Sequence, residues 1–106
     1  MQLSSIAHLT CMVIHNPQQQ RFEMALEDRL AKLDYRIKGT RINLFHTEVP
    51  PEFQERGIAA ELARAALEYA REFGLLVIPS CAYVADFLKK HPEYQEIVDP
   101  EYRDEP

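Results

Sequence analysis

The stretch FQERGIAAELARAALEYAREFG, residues 53–74, predicts a long amphipathic helix that packs closely on another layer. A second face of this helix carries only alanines, at positions 59, 63, 66 and 70. Small side chains let a helix approach a sheet closely, so the stretch favours a helix-on-sheet architecture. The larger apolar residues recur at helical spacing and predict one inward stripe, which consists of Ile58, Leu62, Ala65, Tyr69 and Phe73.

The start of this helix is unusual, because it opens on Gly57 instead of a Ser, Thr, Asp or Asn cap. A glycine between strand and helix lets the backbone approach a ligand, and the free N–H groups of the first helical turn favour an anion. Arg56 can add a positive charge. The alternative is that Gly57 only permits a tight turn after Pro50-Pro51, and spacing alone does not decide between the two.

Upstream of the helix the apolar residues alternate with polar ones, a pattern that predicts strands. Turn-forming pairs at Glu27-Asp28 and Gly39-Thr40 separate the strands, which favours an antiparallel meander. The segment Cys11 to His15 is either a further short strand or a lead-in to the Asn16-Pro17 turn. The three alternating runs extend from Arg21 to Leu26, from Lys32 to Ile37, and from Ile42 to about Val49.

Downstream, Gly74 stands where a helix-ending glycine belongs, and Leu75 to Ile78 form an apolar run that ends at Pro79. Such a run is typical of a strand that is buried on both faces and paired in parallel. Strand, helix and strand then form a right-handed βαβ unit. The predicted fold class is therefore α/β: a compact domain in which an antiparallel meander leads into a βαβ unit. A second helix, Ala82 to Lys90, with Val84, Phe87 and Leu88 inward, ends before His91-Pro92, and Ile97-Val98 add a short strand.

Length and composition favour one globular domain. The chain has 106 residues, of which 46% are hydrophobic and 27% charged. The pattern divides it into a loose N-terminal arm (1–10), the folded domain (11–98) and an acidic tail (99–106) that we expect to fray.

Charge and cysteine content exclude several classes of partner. Twelve basic and seventeen acidic residues give a net charge of −5, which argues against a nucleic-acid partner. No apolar run reaches the length of a membrane span. Cys11 and Cys81 lie far apart and the start lacks the basic region of a signal peptide, so we expect a cytoplasmic protein. The His and Cys residues show no metal-ligand spacing, so no metal is expected.

The residues around Gly57 carry a family resemblance. Gln54-Glu55-Arg56-Gly57-Ile58-Ala59 fits the pattern (Gln/Arg)-x-x-Gly-x-(Gly/Ala), which resembles the pyrophosphate loop of the GNAT acetyltransferases. The stretches HTEV (46–49), PSC (79–81) and HPEY (91–94) are similar to those of small single-domain, GNAT-like predicted acetyltransferases. The resemblance covers about Met12 to Val98.

This resemblance implies an acetyl-coenzyme A co-substrate and an amine or protein acceptor whose identity stays open, as does the oligomeric state. It also implies that two parallel strands splay apart around the pantetheine arm. Val49 and the loop Gln54 to Ala59 would hold the cofactor. Two positions depart from the pattern: Glu55 stands where a glycine is frequent, and Ala82 where a proline is frequent.

Three residues are candidates for catalysis. Cys81 precedes a helix, a place that favours the thiolate, so its roles are a nucleophile or a pocket wall, with simple packing as the alternative. On a strand, His46 and Glu48 share one face and Thr47 takes the other. Either can serve as general base for an amine, and the resemblance implies a carboxylate on this strand in that role. A structural histidine and a solvated glutamate are the alternatives.

Three functions follow from these expectations. The first is N-acetyl transfer to an amine. The second is a binding module that keeps the coenzyme A groove without chemistry. A weaker third is acyl transfer through the Cys81 thiol. Tyr83 and Tyr94 are the hydroxyl groups near the position where larger GNAT enzymes often place an acid, and Lys89 or Lys90 can reach a cofactor phosphate.

Overall fold

A computed structural model describes residues 12–103 of the chain. Within that range, a sheet of order β1-β2-β3-β4-β5 is covered on one face by two α-helices. None of the helices in 12–103 is both long and apolar enough to cross a membrane. The elements are β1 (Ile14–Asn16), β2 (Arg21–Leu26), β3 (Arg29–Lys38), β4 (Arg41–Glu48), α1 (Ile58–Glu72), β5 (Leu76–Pro79) and α2 (Ala82–Lys90).

The antiparallel meander predicted from the alternation is confirmed. β1 to β4 pair antiparallel in sequence order, and β4 then pairs in parallel with β5. The C-terminal half of the segment predicted at Cys11 to His15 becomes β1, while Cys11 itself lies outside the described residues. The core lies between the sheet and the helices, where Met24, Leu33 and Leu44 are at most 1% exposed.

A β-bulge at Phe45 changes which side chains of β4 face the helices. Leu44 lies opposite Tyr35, whereas His46 lies opposite Asp34, so Phe45 is the extra residue. Before the bulge the even-numbered residues of β4 face the core, and after it Thr47 does, opposite the buried Leu33. Strict alternation along the sequence would place Thr47 on the outer face.

Helix α1 is the predicted one, but its buried face is rotated from the predicted stripe towards the alanine face, and Ala65 and Tyr69 of that stripe are only half-buried. Phe73 is 59% exposed, whereas Leu67, which was not part of the predicted stripe, is fully buried. Phe73 is exposed because the helix ends at Glu72 and Phe73 leaves the helical path as the C-cap. Gly74 follows at φ +67°, and the N–H of Leu75 donates to the Ala70 carbonyl at 2.9 Å, which completes a glycine-terminated helix end.

Two expectations about the C-terminal part are wrong. In β5 only Val77 is fully buried. The reason is that β5 is the last strand of the sheet, and only an isolated parallel bridge from Val98 pairs with its other side. Asp99, expected to begin a frayed tail, is 2% exposed and forms an ion pair with Arg41. Residues 100–102 form a 3₁₀ turn, and residues 104–106 lie outside the described range.

Candidate functional site

A groove of about 430 Å³ opens where β4 and β5 separate. The two strands pair only as far as Leu44 and Pro79. Beyond that point β4 continues towards the start of α1, while the chain after β5 turns into α2. The groove is lined by the end of β4, by the loop before α1, by the first turn of α1, and by α2, through Thr47, Val49, Phe53, Gln54, Glu55, Gly57, Ile58, Ala59, Ala60 and Tyr83.

The start of α1 lines this groove with residues 57–60, so the first N–H groups of the helix lie beside it. Gly57 is the N-cap of α1 and adopts the left-handed region at φ +79°. A Cβ at this residue would meet no heavy atom within 4 Å, so the space over the backbone is open. The first N–H groups of a helix have no intrahelical acceptor and lie at the positive end of its dipole. The arrangement is suited to a phosphate or another anion.

Side chains of the loop before α1 stabilise its shape. The Gln54 amide donates to the Val49 carbonyl at 3.0 Å and so connects the loop to the end of β4. The Arg56 guanidinium lies 5.2 Å from the centre of the Phe53 ring and does not line the groove. Glu55 does line it, is exposed, and adopts a positive φ of 65°. The glycine expected at position 55 would adopt this conformation without strain.

Cys81 is the N-cap of α2, as its position before the predicted helix indicated. Its N–H donates to the Leu44 carbonyl at 2.9 Å, which extends the pairing of β4 and β5 by one bond. The side chain is buried, at 8% exposure, and the sulfur lies 3.2 Å from the Thr47 hydroxyl oxygen. Among the residues that line the groove Cys81 is missing, whereas Thr47 and Tyr83 are present.

His46 and Glu48 share the opposite face of β4, as predicted. His46 Nε2 lies 3.2 Å from a Glu48 carboxylate oxygen, and both side chains are more than half exposed. In the sheet, Asp34 lies opposite His46 and Lys32 lies opposite Glu48. This outer face therefore carries alternating charges, and neither His46 nor Glu48 is among the residues that line the groove.

Three residues that line the groove were not predicted to do so, namely Thr47, Phe53 and Ala60, whereas Tyr83, which was named as a nearby hydroxyl, does line it. Thr47 was missed because the bulge at Phe45 reverses the alternation. Phe53 belongs to a 3₁₀ turn, Pro51–Phe53, that the proline pair at its start can indicate. Tyr83 lies in the first turn of α2, and partial burial raises the pKa of its phenol.

Two further candidates from the sequence, a metal centre and a lysine that reaches a cofactor phosphate, can be compared with the described part of the chain. Residues 12–103 bring together no group of three or more His, Cys, Asp or Glu side chains that could hold a metal ion. Lys89 and Lys90 are exposed at the far end of α2, and Lys90 lies 3.6 Å from Asp86. Neither lysine lines the groove.

Comparisons with known proteins agree on one family. The model of a family described as GCN5-related N-acetyl-transferase matches residues 21–97. Protein NATD1 of Mus musculus is 39% identical over 94 residues, which cover 83% of this chain and 84% of that protein. Protein NATD1 of Xenopus tropicalis is 33% identical over 93 residues, with 83% and 85% covered. The solution structure of a GCN5-like protein from Staphylococcus aureus superposes with a TM-score of 0.68 at 28% identity, covering 85% of this chain and 89% of that one.

Proposed function

The chain belongs to the GCN5-related N-acetyltransferase family, and on this basis we propose that it binds acetyl-coenzyme A in the groove and transfers the acetyl group to an amine. The observation that carries the proposal is the start of α1. Gly57 leaves the backbone N–H groups open to the groove, at a helix N-terminus that suits a diphosphate. The adjoining wall is mostly apolar and suits the pantetheine arm, which would lie along β4 past Val49.

The proposed transfer is a direct attack. The amine nitrogen attacks the thioester carbonyl carbon, the C–S bond breaks, and the nitrogen loses a proton while the sulfur gains one. We assign the base to Glu48, supported by His46, because β4 and β5 no longer pair beside these residues. An acceptor can therefore approach from the outer face of the sheet. Tyr83, which lines the groove with its hydroxyl still protonated, is our candidate for the acid.

Cys81 has a second possible role in the proposal, that of a covalent acyl carrier. In that case its sulfur would attack the thioester carbon and release coenzyme A, and the amine would then take the acetyl group from the cysteine. The burial of the side chain behind the groove favours direct transfer. Incubation with acetyl-coenzyme A alone, followed by intact mass measurement, separates the two routes, because the covalent route adds one acetyl group to the wild type and none to Cys81→Ala.

The alternative function is a module that binds acyl-coenzyme A without turnover. It is favoured by one observation: His46 and Glu48 lie among the alternating charges of an exposed sheet face, where a purely solvated role is sufficient. Glu48→Gln distinguishes the two functions. A general base contributes about 10²–10⁴-fold to a rate. We therefore expect acetylation of an amine mixture to fall by about 100-fold or more in Glu48→Gln and to persist in the control Glu27→Gln.

Binding itself is tested by calorimetric titration with coenzyme A and acetyl-coenzyme A. The backbone at Gly57 and the first turn of α1 is called the cradle here. Gly57→Glu adds a side chain and a negative charge at the cradle, and we expect it to abolish binding. Gly74→Glu is the matched control, because Gly74 also adjoins α1 at positive φ with open space around it but lies at the other end of the helix. Circular dichroism verifies the folding of both variants. Equal affinities in both would contradict the cradle assignment.

A further inference from the structure

Thr47 is the polar side chain that β4 contributes to the groove. The bulge at Phe45 turns it towards the helices, where it lies opposite Leu33 and lines the groove together with Val49. Val49 is the residue nearest the loop, and Thr47 lies two positions earlier, about 6.6 Å further along a strand. Thr47 therefore lies further along β4 from the loop, and its contact residue Cys81 lies two residues before Tyr83, which also lines the groove.

The partner of the Thr47 hydroxyl determines what else it can bind. Among residues 12–103 its only side-chain partner is Cys81, at 3.2 Å. Cys81 is held in place by the bond from its N–H to Leu44 and is almost fully buried. A thiol has one proton to donate, whereas a hydroxyl has one proton and two acceptor sites. Either atom can be the donor in this pair, and when the thiol donates to the oxygen, the hydroxyl proton of Thr47 is left for a group in the groove.

We infer that Thr47 donates a hydrogen bond to the carbonyl oxygen of the acyl thioester, and that Cys81 acts as the positioning residue that orients this hydroxyl. The inference rests on the proposed function, since it assumes that the diphosphate occupies the cradle. The carbonyl oxygen is the acceptor that distinguishes acetyl-coenzyme A from coenzyme A at this end of the ligand. Thr47 would then determine the selectivity of the groove for the acylated form.

The test compares the affinity of each variant for acetyl-coenzyme A and for coenzyme A. Thr47→Val removes the hydroxyl and keeps the shape, and Thr47→Ser keeps the hydroxyl. Loss of one neutral hydrogen bond lowers a binding affinity by about 2- to 10-fold. We expect Thr47→Val to lose that factor for acetyl-coenzyme A alone, and Thr47→Ser to retain the wild-type ratio. An equal loss for both ligands, or no loss, overturns the inference.

The role of Cys81 is tested by coupling. Cys81→Ala should reduce the ratio of the affinity for acetyl-coenzyme A to that for coenzyme A when Thr47 is present. The same substitution should leave this ratio unchanged in the Thr47→Val background. Cys81→Ser, which still donates a proton, should restore the wild-type ratio. Independent effects of the two residues would overturn the positioning role. Failure of the wild type to bind either ligand would overturn the proposed function as well. Normal binding of both ligands with an unaltered ratio in Thr47→Val would overturn this inference alone.

Discussion

Glu55 is the residue whose backbone and side chain both bear on the groove. Within residues 12–103, Gln20, Glu27 and Glu55 are the non-glycine residues at positive φ, and Glu55 is the one in the proposed phosphate loop. A side chain in this region is strained by about 1–2 kcal/mol relative to glycine. The carboxylate in addition places a negative charge at a site proposed to bind an anion.

We therefore predict two separate effects of Glu55→Gly. Stability should rise by up to about 1 kcal/mol once the greater freedom of glycine in the unfolded chain is subtracted, and urea unfolding measures this change. Affinity for coenzyme A should rise by up to a few-fold, more at low salt, since a solvated repulsion is about 1 kcal/mol or less.

Glu27→Gly is the matched control for this prediction, because Glu27 has a φ of 58° in the turn between β2 and β3. It should show the gain in stability without the gain in affinity. A similar change of affinity in both variants would mean that the Glu55 carboxylate does not act on the ligand. An unchanged affinity in Glu55→Gly would mean that the side chain points into solvent.

Residue-level prediction from the sequence succeeded where the periodicity was regular and failed where one residue interrupts it. Phe45 cannot be recognised as a bulge from alternation, because it is apolar like Leu44 before it and its residue type does not mark it as the extra residue. As a result, it was not predictable that the Thr47 side chain lies on the face of β4 that packs on the helices. Phe73 continues the helical spacing by its side chain, but its backbone already belongs to the helix end. Strand pairing decides the orientation of Thr47, and the helix end before Gly74 decides that of Phe73.

Helix α2 offers a prediction at the scale of an element. Ala82 is its first residue, where an N–H has no intrahelical acceptor and proline is favoured. Cys81, the residue before it, has φ −76° and ψ 129°, the extended conformation that a following proline requires. We predict that Ala82→Pro stabilises the protein by about 0.4–1 kcal/mol, because it restricts the unfolded chain.

The control for this substitution lies three residues further along the same helix. The N–H of Ala85 donates to the Cys81 carbonyl at 3.0 Å, so Ala85→Pro removes a hydrogen bond and should cost about 3 kcal/mol or more. Thermal unfolding of both variants measures the difference. A destabilised Ala82→Pro would show that the start of α2 depends on a different backbone geometry.

Strand β1 is attached to the fold by an aromatic cluster that contains a titratable ring. His15 stacks on Phe22 with 4.5 Å between ring centres, meets Tyr69 edge-on at 4.6 Å, and pairs with the Tyr35 hydroxyl. Burial lowers the pKa of His15 from its ordinary 6.5. Protonation of His15 is therefore easier in the unfolded chain. The contribution of the neutral His15 ring to stability is complete above pH 6.5 and is lost as the pH falls below that value.

We expect the free energy of unfolding to decrease between pH 7.5 and pH 5.5, as measured by urea titration. The double variant His15→Phe/Tyr35→Phe keeps the stacked rings and removes the ring that titrates, so its stability should change less over the same interval. Tyr35→Phe alone keeps His15 and should retain the pH dependence. An unaltered slope in the double variant would assign the titration to other groups.

At the scale of the whole molecule, the order of elements was predictable because each one carries its own pattern and each turn its own residues. The long-range connection made by Asp99 was not predictable, since an acidic stretch after Val98 has the composition of a tail. Asp99 lies 58 residues from Arg41 in sequence, and only the folded chain brings the two together. The N–H of Asp99 also donates to the Val77 carbonyl at 2.9 Å, so the segment adds to the parallel end of the sheet.

The last prediction concerns the ion pair between Arg41 and Asp99, which connects the C-terminal segment to the sheet. The Arg41 guanidinium, helped by the N–H of Glu101, holds the pKa of Asp99 below its ordinary 3.8. Because the folded pKa is depressed, the contribution of the ion pair to stability is present above about pH 4 and is lost as the pH falls through the folded value. Asp99→Asn should thus lower the unfolding temperature at pH 7, and its difference from the wild type should shrink below pH 4. Asp86→Asn, which breaks the exposed pair with Lys90, should have little effect at either pH. Equal effects of the two substitutions at pH 7 would show that Asp99 does not connect the C-terminal segment to the sheet.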